Sequence, residues 1–390
     1  MGSSVKLPGP MLSPLIEWRA SRIEDPVARL RFLKGRTRIG PPTIIGRLRR
    51  FGGWRLIASA ALWVSIFIPA FSPSRVRGPA GTQAVADHMV LAANYSAPQV
   101  WPVEKTSSFE LYSNGLRIEN EFAISGKPRG EYPVFRPRFT ASDNGDLPVA
   151  WKKDPAGIVF HSTESHQAPF EPAEVRSLKR IGRSLLGYIR SQQSYHFVID
   201  RFGRAFRVVA ESDMANHAGK SVWADANGTY VGLNASFLSI AFEAQTDASM
   251  PLSAAQIHAA RLLTDLLRGK FGIAASNCVT HAQVSVNPSN WRIGYHTDWA
   301  GGFPFSELGL PDNYAQVVPS MFQFGFDYDD AFVAAAGRPW AGLIATQQLL
   351  AEQARADGLS PNAYRQRSQE RYRSISAQLH ANEENQNEKQ

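Results

Sequence analysis

The chain has 390 residues, of which 44% are hydrophobic and 19% are charged, a composition that excludes an intrinsically disordered protein. The net charge of +8 arises at the N-terminus, because residues 1–55 hold 12 Lys and Arg against 3 Asp and Glu, and the remaining residues hold 30 against 31. A nucleic-acid-binding domain carries its basic residues on the folded surface, so we expect no nucleic-acid partner. The single cysteine, Cys278, excludes a disulfide framework, a cysteine-rich zinc finger and an iron–sulfur cluster.

A basic arm, residues 1–53, leads into the most apolar stretch of the chain, Leu56–Phe71. A helix of this length covers about 24 Å of a ~30 Å hydrocarbon core, and the preceding Phe51–Trp54 brings it close to full length. We therefore predict a transmembrane signal anchor over residues 54–72. The alternatives are a buried helix of a soluble domain and a cleaved secretory signal, whose charged region is normally much shorter than this arm.

The distribution of arginines predicts the orientation of this anchor. Arg47, Arg49, Arg50 and Arg55 lie on its N-terminal side, which the positive-inside rule places in the cytoplasm. Everything after Ser72 is then outside the cytoplasm, and a nearly cysteine-free, charge-neutral exterior portion fits a bacterial periplasm. We expect a single-pass protein of the bacterial inner (cytoplasmic) membrane.

The clearest alternation of strands and helices lies in residues 151–305. An apolar strand at Gly157–Phe160 precedes a helix with one apolar stripe, Pro172–Arg190. A later strand, Leu238–Ala244, precedes a capping box, Ser253–Gln256, that opens a second helix. We predict an α/β domain with a mixed central sheet flanked by helices.

Segments of different composition surround this domain. Residues 73–150 are predicted to be a linker followed by an irregular β extension, because their short strand-like pieces are broken by Gly, Pro and Asp-Asn-Gly-Asp. Residues 306–380 are predicted to be a helical C-terminal extension. The polar tail, residues 381–390, is predicted to be disordered.

Four polar residues follow or interrupt apolar strands in the predicted domain. His161 follows an apolar strand in IVFHST, and His281 follows Cys-Val-Thr. Asp298 is the last residue of His-Thr-Asp, which closes a loop rich in Asn, Pro and Gly. Two His and one Asp from separate strand ends would form a zinc site with three protein ligands and an open fourth position. Glu243, in SIAFEA, needs a partner or a raised pKa if it is buried. A single His at a strand end is more often structural than a metal ligand, whereas a carboxylate inside an apolar strand is harder to explain as structural.

Six segments resemble, in their amino-acid sequences and in their order, segments of the zinc-dependent N-acetylmuramoyl-L-alanine amidases of the second amidase type. These enzymes are related to phage lysozyme-type amidases and to animal peptidoglycan recognition proteins. The resemblance covers Gly157 to Phe305 and is carried by IVFHST, SYHFVIDRFGRAFRVV, NHAGKS, LNASFLSIAFEA, VTHAQ and HTDWAGGFPF.

The resemblance implies roles for particular residues. It assigns the Zn²⁺ ligands to His161, His281 and Asp298, and the proton-transferring carboxylate to Glu243. His217, in NHAGKS, matches a family segment beside the substrate groove and is predicted to contact substrate.

The sequence departs from the family pattern in two places. His281 and Asp298 are 17 residues apart, more than is usual in the family, so Val284–Gly294 is interpreted as an insertion. His296 stands where the family commonly has Lys. It is interpreted as a catalytic residue that stabilises the oxyanion, with a role as the third metal ligand as the alternative.

The resemblance implies hydrolysis of the amide bond between N-acetylmuramic acid and L-alanine, with peptidoglycan or soluble muropeptides as the partner. The chemistry fits cell-wall remodelling or turnover. The alternative is a non-catalytic peptidoglycan-binding protein on the same fold, which would require the loss of metal ligands. A membrane-anchored scaffold acting through its C-terminal helices is a third reading, and it leaves the His, Glu and Asp positions unexplained.

Overall fold

Strands and helices follow one another from Pro102 to Asn387 in the computed structural model of the protein, which describes residues 96–137, 148–246 and 250–387. The predicted basic arm and the predicted anchor, residues 54–72, lie outside this part of the chain and stay predictions. Among the helices of the described residues, none has the length and apolar character needed to cross a bilayer.

The strands are short. In chain order they are β1 Pro102–Lys105, β2 Phe109–Tyr112, β3 Arg117–Glu119, β4 Lys127–Pro128, β5 Tyr132–Phe135, β6 Pro148–Lys152, β7 Gly157–Ser162, β8 Phe197–Ile199, β9 Ala205–Arg207, β10 Asp213–Met214, β11 Val222–Ala224, β12 Thr229–Val231, β13 Phe237–Phe242, β14 Cys278–Thr280, β15 Arg292–Ile293 and β16 Asp327–Tyr328. The α-helices are α1 Val175–Gln192, α2 Leu233–Ser236, α3 Ala254–Phe271, α4 His281–Val284, α5 Pro319–Phe324, α6 Asp330–Ala336, α7 Ala341–Ala356 and α8 Pro361–Asn387.

Eight of these strands form the central sheet, in the order β1-β2-β3-β9-β8-β13-β7-β14. Strands β8, β13, β7 and β14 pair with one another in parallel, whereas β8 and β9 form an antiparallel hairpin. The sheet is therefore mixed, as the sequence predicts. Because β7 and β14 run in the same direction, their carboxyl ends lie at one edge of the sheet.

Helices cover both faces of this sheet. Leu238, Ile240 and Phe242 of β13 pack in one core cluster with the apolar side of α3, and Ala241 packs in another with Leu186 of α1. This follows from the alternation of side chains along a strand. Helix α3 begins at the predicted capping box, in which Ser253 accepts from the Gln256 backbone N–H. The prediction of an α/β domain with flanking helices is confirmed.

The β extension predicted before residue 151 contributes strands to the sheets of the domain. Strands β1, β2 and β3 form the edge of the central sheet beyond β9, and β5 and β6 join β11 and β12 in a second, four-stranded sheet. Strand β6 itself crosses the predicted boundary. These strands are only two to five residues long. Strand β3 covers the edge of β9, which would otherwise be left unpaired.

The C-terminal extension packs on the sheet face that also carries Val159 and Val279. These two residues share a core cluster with Phe324 of α5 and Tyr372 of α8. Helix α8 continues to Asn387, into the tail that was predicted to be disordered from residue 381. Its sequence contains no Gly and no Pro after Pro361, and Glu, Gln, Arg and Ala are good helix formers, which explains the difference.

Candidate metal centre

The three predicted ligands meet at the carboxyl ends of β7 and β14. His161 is the fifth residue of β7, and His281 follows β14 as the first residue of α4. The loop that carries Asp298 is held against this edge by a hydrogen bond from the Ala282 backbone N–H to the Asp298 carbonyl, at 3.3 Å. One side-chain donor atom from each residue lies within 4.8 Å of the other two.

The Asp298 carboxylate lies between the two histidine rings. Its Oδ2 is 3.1 Å from His161 Nδ1, and its Oδ1 is 2.9 Å from His281 Nδ1. The ring centroids of His161 and His281 are 4.5 Å apart. Asp298, and not His296, therefore completes the group, which favours the first of the two interpretations of the His-Thr-Asp segment.

A buried chain of hydrogen bonds sets the tautomer of His161. His217 Nε2 lies 3.3 Å from the carbonyl oxygen of Phe237, which can only accept, so the proton of His217 is on Nε2. His217 Nδ1 then accepts from His161 Nε2–H at 3.2 Å. The Nδ1 lone pair of His161 is left pointing at the acceptor-only carboxylate of Asp298.

The charge states agree with a metal site. Burial lowers the pKa of His161 to about 4 and that of His217 well below its usual range, so both rings are neutral. Burial alone would raise the pKa of Asp298, but the neighbouring His281 holds that pKa well below the usual range. A lone pair and an anionic oxygen about 3 Å apart repel each other unless a cation lies between them. Two imidazoles and one carboxylate are the ligands that catalytic zinc takes, so these residues fit zinc.

His217 is buried behind the first ligand, His161, and its predicted contact with substrate stays a prediction. Only 6% of the residue is exposed, and both ring nitrogens are used by His161 and Phe237. Its backbone N–H donates to Asn234 Oδ1 at 3.0 Å. The Gly-containing segment around His217 folds inward because these buried acceptors satisfy its polar groups.

Glu243 follows β13 directly and is 4% exposed. Its Oε2 accepts from the Arg201 backbone N–H at 3.2 Å, and lies 3.2 Å from the position that a Cβ on Gly182 of α1 would take. Burial raises the pKa of this carboxyl to about 7. In register, Ala241 pairs with His161, so alternation puts Glu243 on the face of the sheet that carries the first ligand. A carboxyl that gains and loses a proton near neutrality is suited to general acid–base chemistry.

His296 stacks on the second ligand. Its ring centroid is 4.4 Å from that of His281, with 16° between the ring planes, and the side chain is partly exposed. The Ser285 hydroxyl accepts from the His296 backbone N–H at 3.0 Å. The ring thus stands beside the group of three ligands, on the solvent side, where a substrate oxygen could approach it.

The comparison with known families concerns this part of the chain. The family model for N-acetylmuramoyl-L-alanine amidase matches residues 151–298, from the end of β6 to the third candidate ligand. This domain belongs to that amidase family.

Several solved structures are similar to the amidase domain. LysC, an N-acetylmuramoyl-L-alanine amidase from Clostridium intestinale, is 23% identical, and the match covers 40% of this chain and 83% of that one with a TM-score of 0.25. AmiD, an N-acetylmuramyl-L-alanine amidase from E. coli, is 18% identical over 56% and 84% of the two chains, with a TM-score of 0.31. The Drosophila peptidoglycan recognition protein SA is 17% identical over 42% and 78%, with a TM-score of 0.21. Among curated proteins, none matches the chain significantly.

Tyr195, to which no sequence pattern assigns a role, lies beside the candidate metal centre. Its ring centroid is 5.0 Å from that of His161, and burial raises its pKa above the usual range, so the phenol stays protonated. The residue lies in the turn between α1 and β8, where no strand or helix periodicity assigns a direction to its side chain. Its neighbour His196 is buried and forms a hydrogen bond with the Ser239 hydroxyl at 2.8 Å.

Cys278 is not a member of the metal group. The thiol is buried in the core cluster on the α3 side of the sheet, and burial raises its pKa to about 12. It lies one residue before Val279, which packs on the opposite face with the extension. The alternation of strand side chains separates Cys278 from the ligands.

Proposed function

We propose that the protein is a zinc-dependent N-acetylmuramoyl-L-alanine amidase that hydrolyses the amide bond between N-acetylmuramic acid and L-alanine in peptidoglycan or muropeptides. The observation that carries the proposal is the convergence of His161, His281 and Asp298 within 4.8 Å, inside the region that the amidase model matches. The carboxyl of Glu243, which register places on the same face of the sheet as His161, supplies a group for proton transfer.

His161, His281 and Asp298 would hold the metal. When bound, zinc supplies a Lewis acid that polarises the amide carbonyl and activates a water molecule at neutral pH. His217 positions the first ligand, since its hydrogen bond keeps the His161 proton on Nε2 and leaves Nδ1 free.

The remaining groups act on protons and on developing charge. Glu243, with its pKa raised to about 7, takes a proton from the attacking water at its carboxylate and returns it to the leaving amine. His296 and Tyr195 flank the ligands and can donate hydrogen bonds to the oxyanion of the tetrahedral intermediate. No covalent intermediate with the protein is needed.

The alternative, a non-catalytic peptidoglycan-binding protein on the same fold, requires that metal ligands be lost. All three ligand positions are filled here, and a carboxyl poised for proton transfer accompanies them. These observations favour the enzyme.

The deciding experiment incubates the full-length protein with purified peptidoglycan, with and without a zinc chelator, and analyses the products by mass spectrometry. The amidase releases stem peptides with a free L-alanine amino group, and only in the absence of chelator. Binding without any released peptide would favour the alternative function.

The third ligand is tested by two substitutions at the His-Thr-Asp segment. Asp298→Asn should weaken zinc binding, because a neutral amide oxygen is a poorer ligand than a carboxylate. His296→Lys should leave zinc bound and activity within about tenfold if the ring only stabilises the oxyanion. The reverse pattern, with zinc lost from His296→Lys and retained in Asp298→Asn, would make His296 the ligand.

We further propose that residues 54–72 anchor the enzyme in the bacterial inner membrane, with the amidase domain in the periplasm. A reporter that is active only outside the cytoplasm, fused after Ser72, should then be active, because the arginine cluster precedes the apolar stretch. A matched fusion before residue 54 should be inactive. Activity of a cytoplasm-specific reporter at Ser72 would contradict this orientation.

A further inference from the structure

The loop between the second and third ligands is held by residues outside the region that the amidase model matches. The part of this loop that carries His296 and Asp298, residues 294–301, is called the ligand segment below. Its contacts with the C-terminal extension lie on both sides of the two functional residues.

On the N-terminal side, the extension pairs with the loop through backbone and side chain. Strand β15 pairs with β16 in parallel, and the Asp329 backbone N–H donates to the Ile293 carbonyl at 2.8 Å. The Asp329 carboxylate accepts from Asn287 Nδ2 at 2.8 Å and also from the Ala331 backbone N–H, as the N-cap of α6. One side chain therefore ties the start of a helix in the extension to the loop.

Two aromatic residues of the extension then contact the ligand segment at both ends. A Cβ on Gly294 would lie 2.6 Å from the Phe332 ring, so the ring packs directly on this glycine. Trp340 Nε1 donates to the Ala300 carbonyl at 2.6 Å. The two rings are perpendicular, with centroids 4.6 Å apart, and act as one unit. They contact the chain two residues before His296 and two residues after Asp298.

The backbone next to Asp298 is strained and needs such support. Trp299 has φ of +57°, which costs energy for a residue with a Cβ and persists only where surrounding contacts determine it. The Trp299 carbonyl accepts from the Tyr314 hydroxyl at 2.7 Å, and the Tyr314 ring lies 4.6 Å from that of Trp340. The extension thus fixes the conformation of the residue that follows the third ligand.

We propose that the C-terminal extension is a structural part of the metal centre, in which Asp329 and Trp340 are positioning residues that hold Asp298 in its metal-binding place. This inference rests on the proposed zinc function for its ligand. Without the contacts of Asp329 and Trp340, metal binding would have to order the long loop between His281 and Asp298. The backbone entropy lost in that ordering would weaken the affinity for zinc.

The test compares three variants of the full-length protein. Trp340→Phe keeps the ring and removes its N–H donor, and Asp329→Ala removes the side chain that holds the loop. Leu350→Ala is the matched control, because Leu350 packs in a separate core cluster of the extension with Phe322 and Tyr364. Zinc affinity is measured by competition with a chromophoric chelator, and thermal stability is measured on the same samples.

Trp340→Phe and Asp329→Ala should weaken zinc binding by about tenfold or more, as loss of outer-sphere partners does, whereas Leu350→Ala should stay within about twofold of the wild type despite its lower melting temperature. Equal zinc affinities in all four proteins would overturn the inference. So would a loss of affinity in the Leu350→Ala control that matches its loss of stability.

Hydrogen exchange of the metal-free protein tests whether Trp340 and Asp329 hold the ligand segment in place, independently of zinc binding. In the ligand segment, the Trp299 N–H donates to Thr246 Oγ1 and the Ala300 N–H donates to the Thr297 carbonyl. These amides should exchange at least about tenfold faster in Trp340→Phe and Asp329→Ala, and at the wild-type rate in Leu350→Ala. If the wild-type protein binds no zinc, the proposed function is rejected. If exchange is unchanged in both variants, the positioning role of Trp340 and Asp329 is rejected.

Discussion

Replacing Glu243 by Gln is expected to lower kcat by about 10²–10⁴-fold while the protein keeps its zinc. The amide cannot take a proton from water at neutral pH, but it has nearly the same shape, and its oxygen can still accept from the Arg201 backbone N–H. Hydrolysis of a defined muropeptide and zinc content by mass spectrometry measure the two effects separately. Glu171→Gln, at an exposed position before α1, is the control and should match the wild type in both.

The pH dependence adds a second signature of this residue. A general base must be ionised, so kcat/KM should fall as the pH drops through the pKa of Glu243, which burial raises to about 7. A cation bound nearby stabilises the ionised form and moves this limb to lower pH. The acidic limb should disappear in Glu243→Gln. A variant that keeps the limb, or that loses its zinc, would contradict the assignment.

Replacing His281 or His161 by Ala is expected to empty the metal site and abolish activity together. Two remaining protein ligands hold zinc poorly, and the truncated side chain leaves the Asp298 carboxylate without one of its two histidine neighbours. Zinc content after dialysis and muropeptide hydrolysis are the measurements. His258→Ala, at an exposed position on α3, is the control and should retain both.

Thermal stability gives an independent readout of the same site. Bound zinc at 100 times its Kd stabilises the folded state by about 2.7 kcal/mol. Addition of a chelator should therefore lower the Tm of the wild type and of His258→Ala, and leave the Tm of both ligand variants unchanged. Stoichiometric zinc in His161→Ala and in His281→Ala would reject the metal site altogether.

The elements with strong local signals could be predicted from the sequence. The apolar strand before His161, the capping box at Ser253 and the hairpin of β8 and β9 all have patterns that extend over neighbouring residues. In the region before residue 151 the sequence predicts short strand-like pieces but not their pairing partners, because each strand is only two to five residues long. Their pairing with β9 and β12 depends on edges that form only when distant parts of the chain fold together.

The sequence by itself determined which residue types reach the site, because a polar residue directly after a buried strand is placed at the sheet edge by local geometry alone. This holds for His161, His281 and Glu243. Only the tertiary structure decided that Asp298 rather than His296 lies between the two histidines, and that His217 stands behind the first ligand. Both outcomes depend on loops whose direction is set by contacts with residues far away in the chain, such as Phe237 and Trp340. A sequence pattern reports the neighbours along the chain, whereas these positions are set by hydrogen bonds and packing across it.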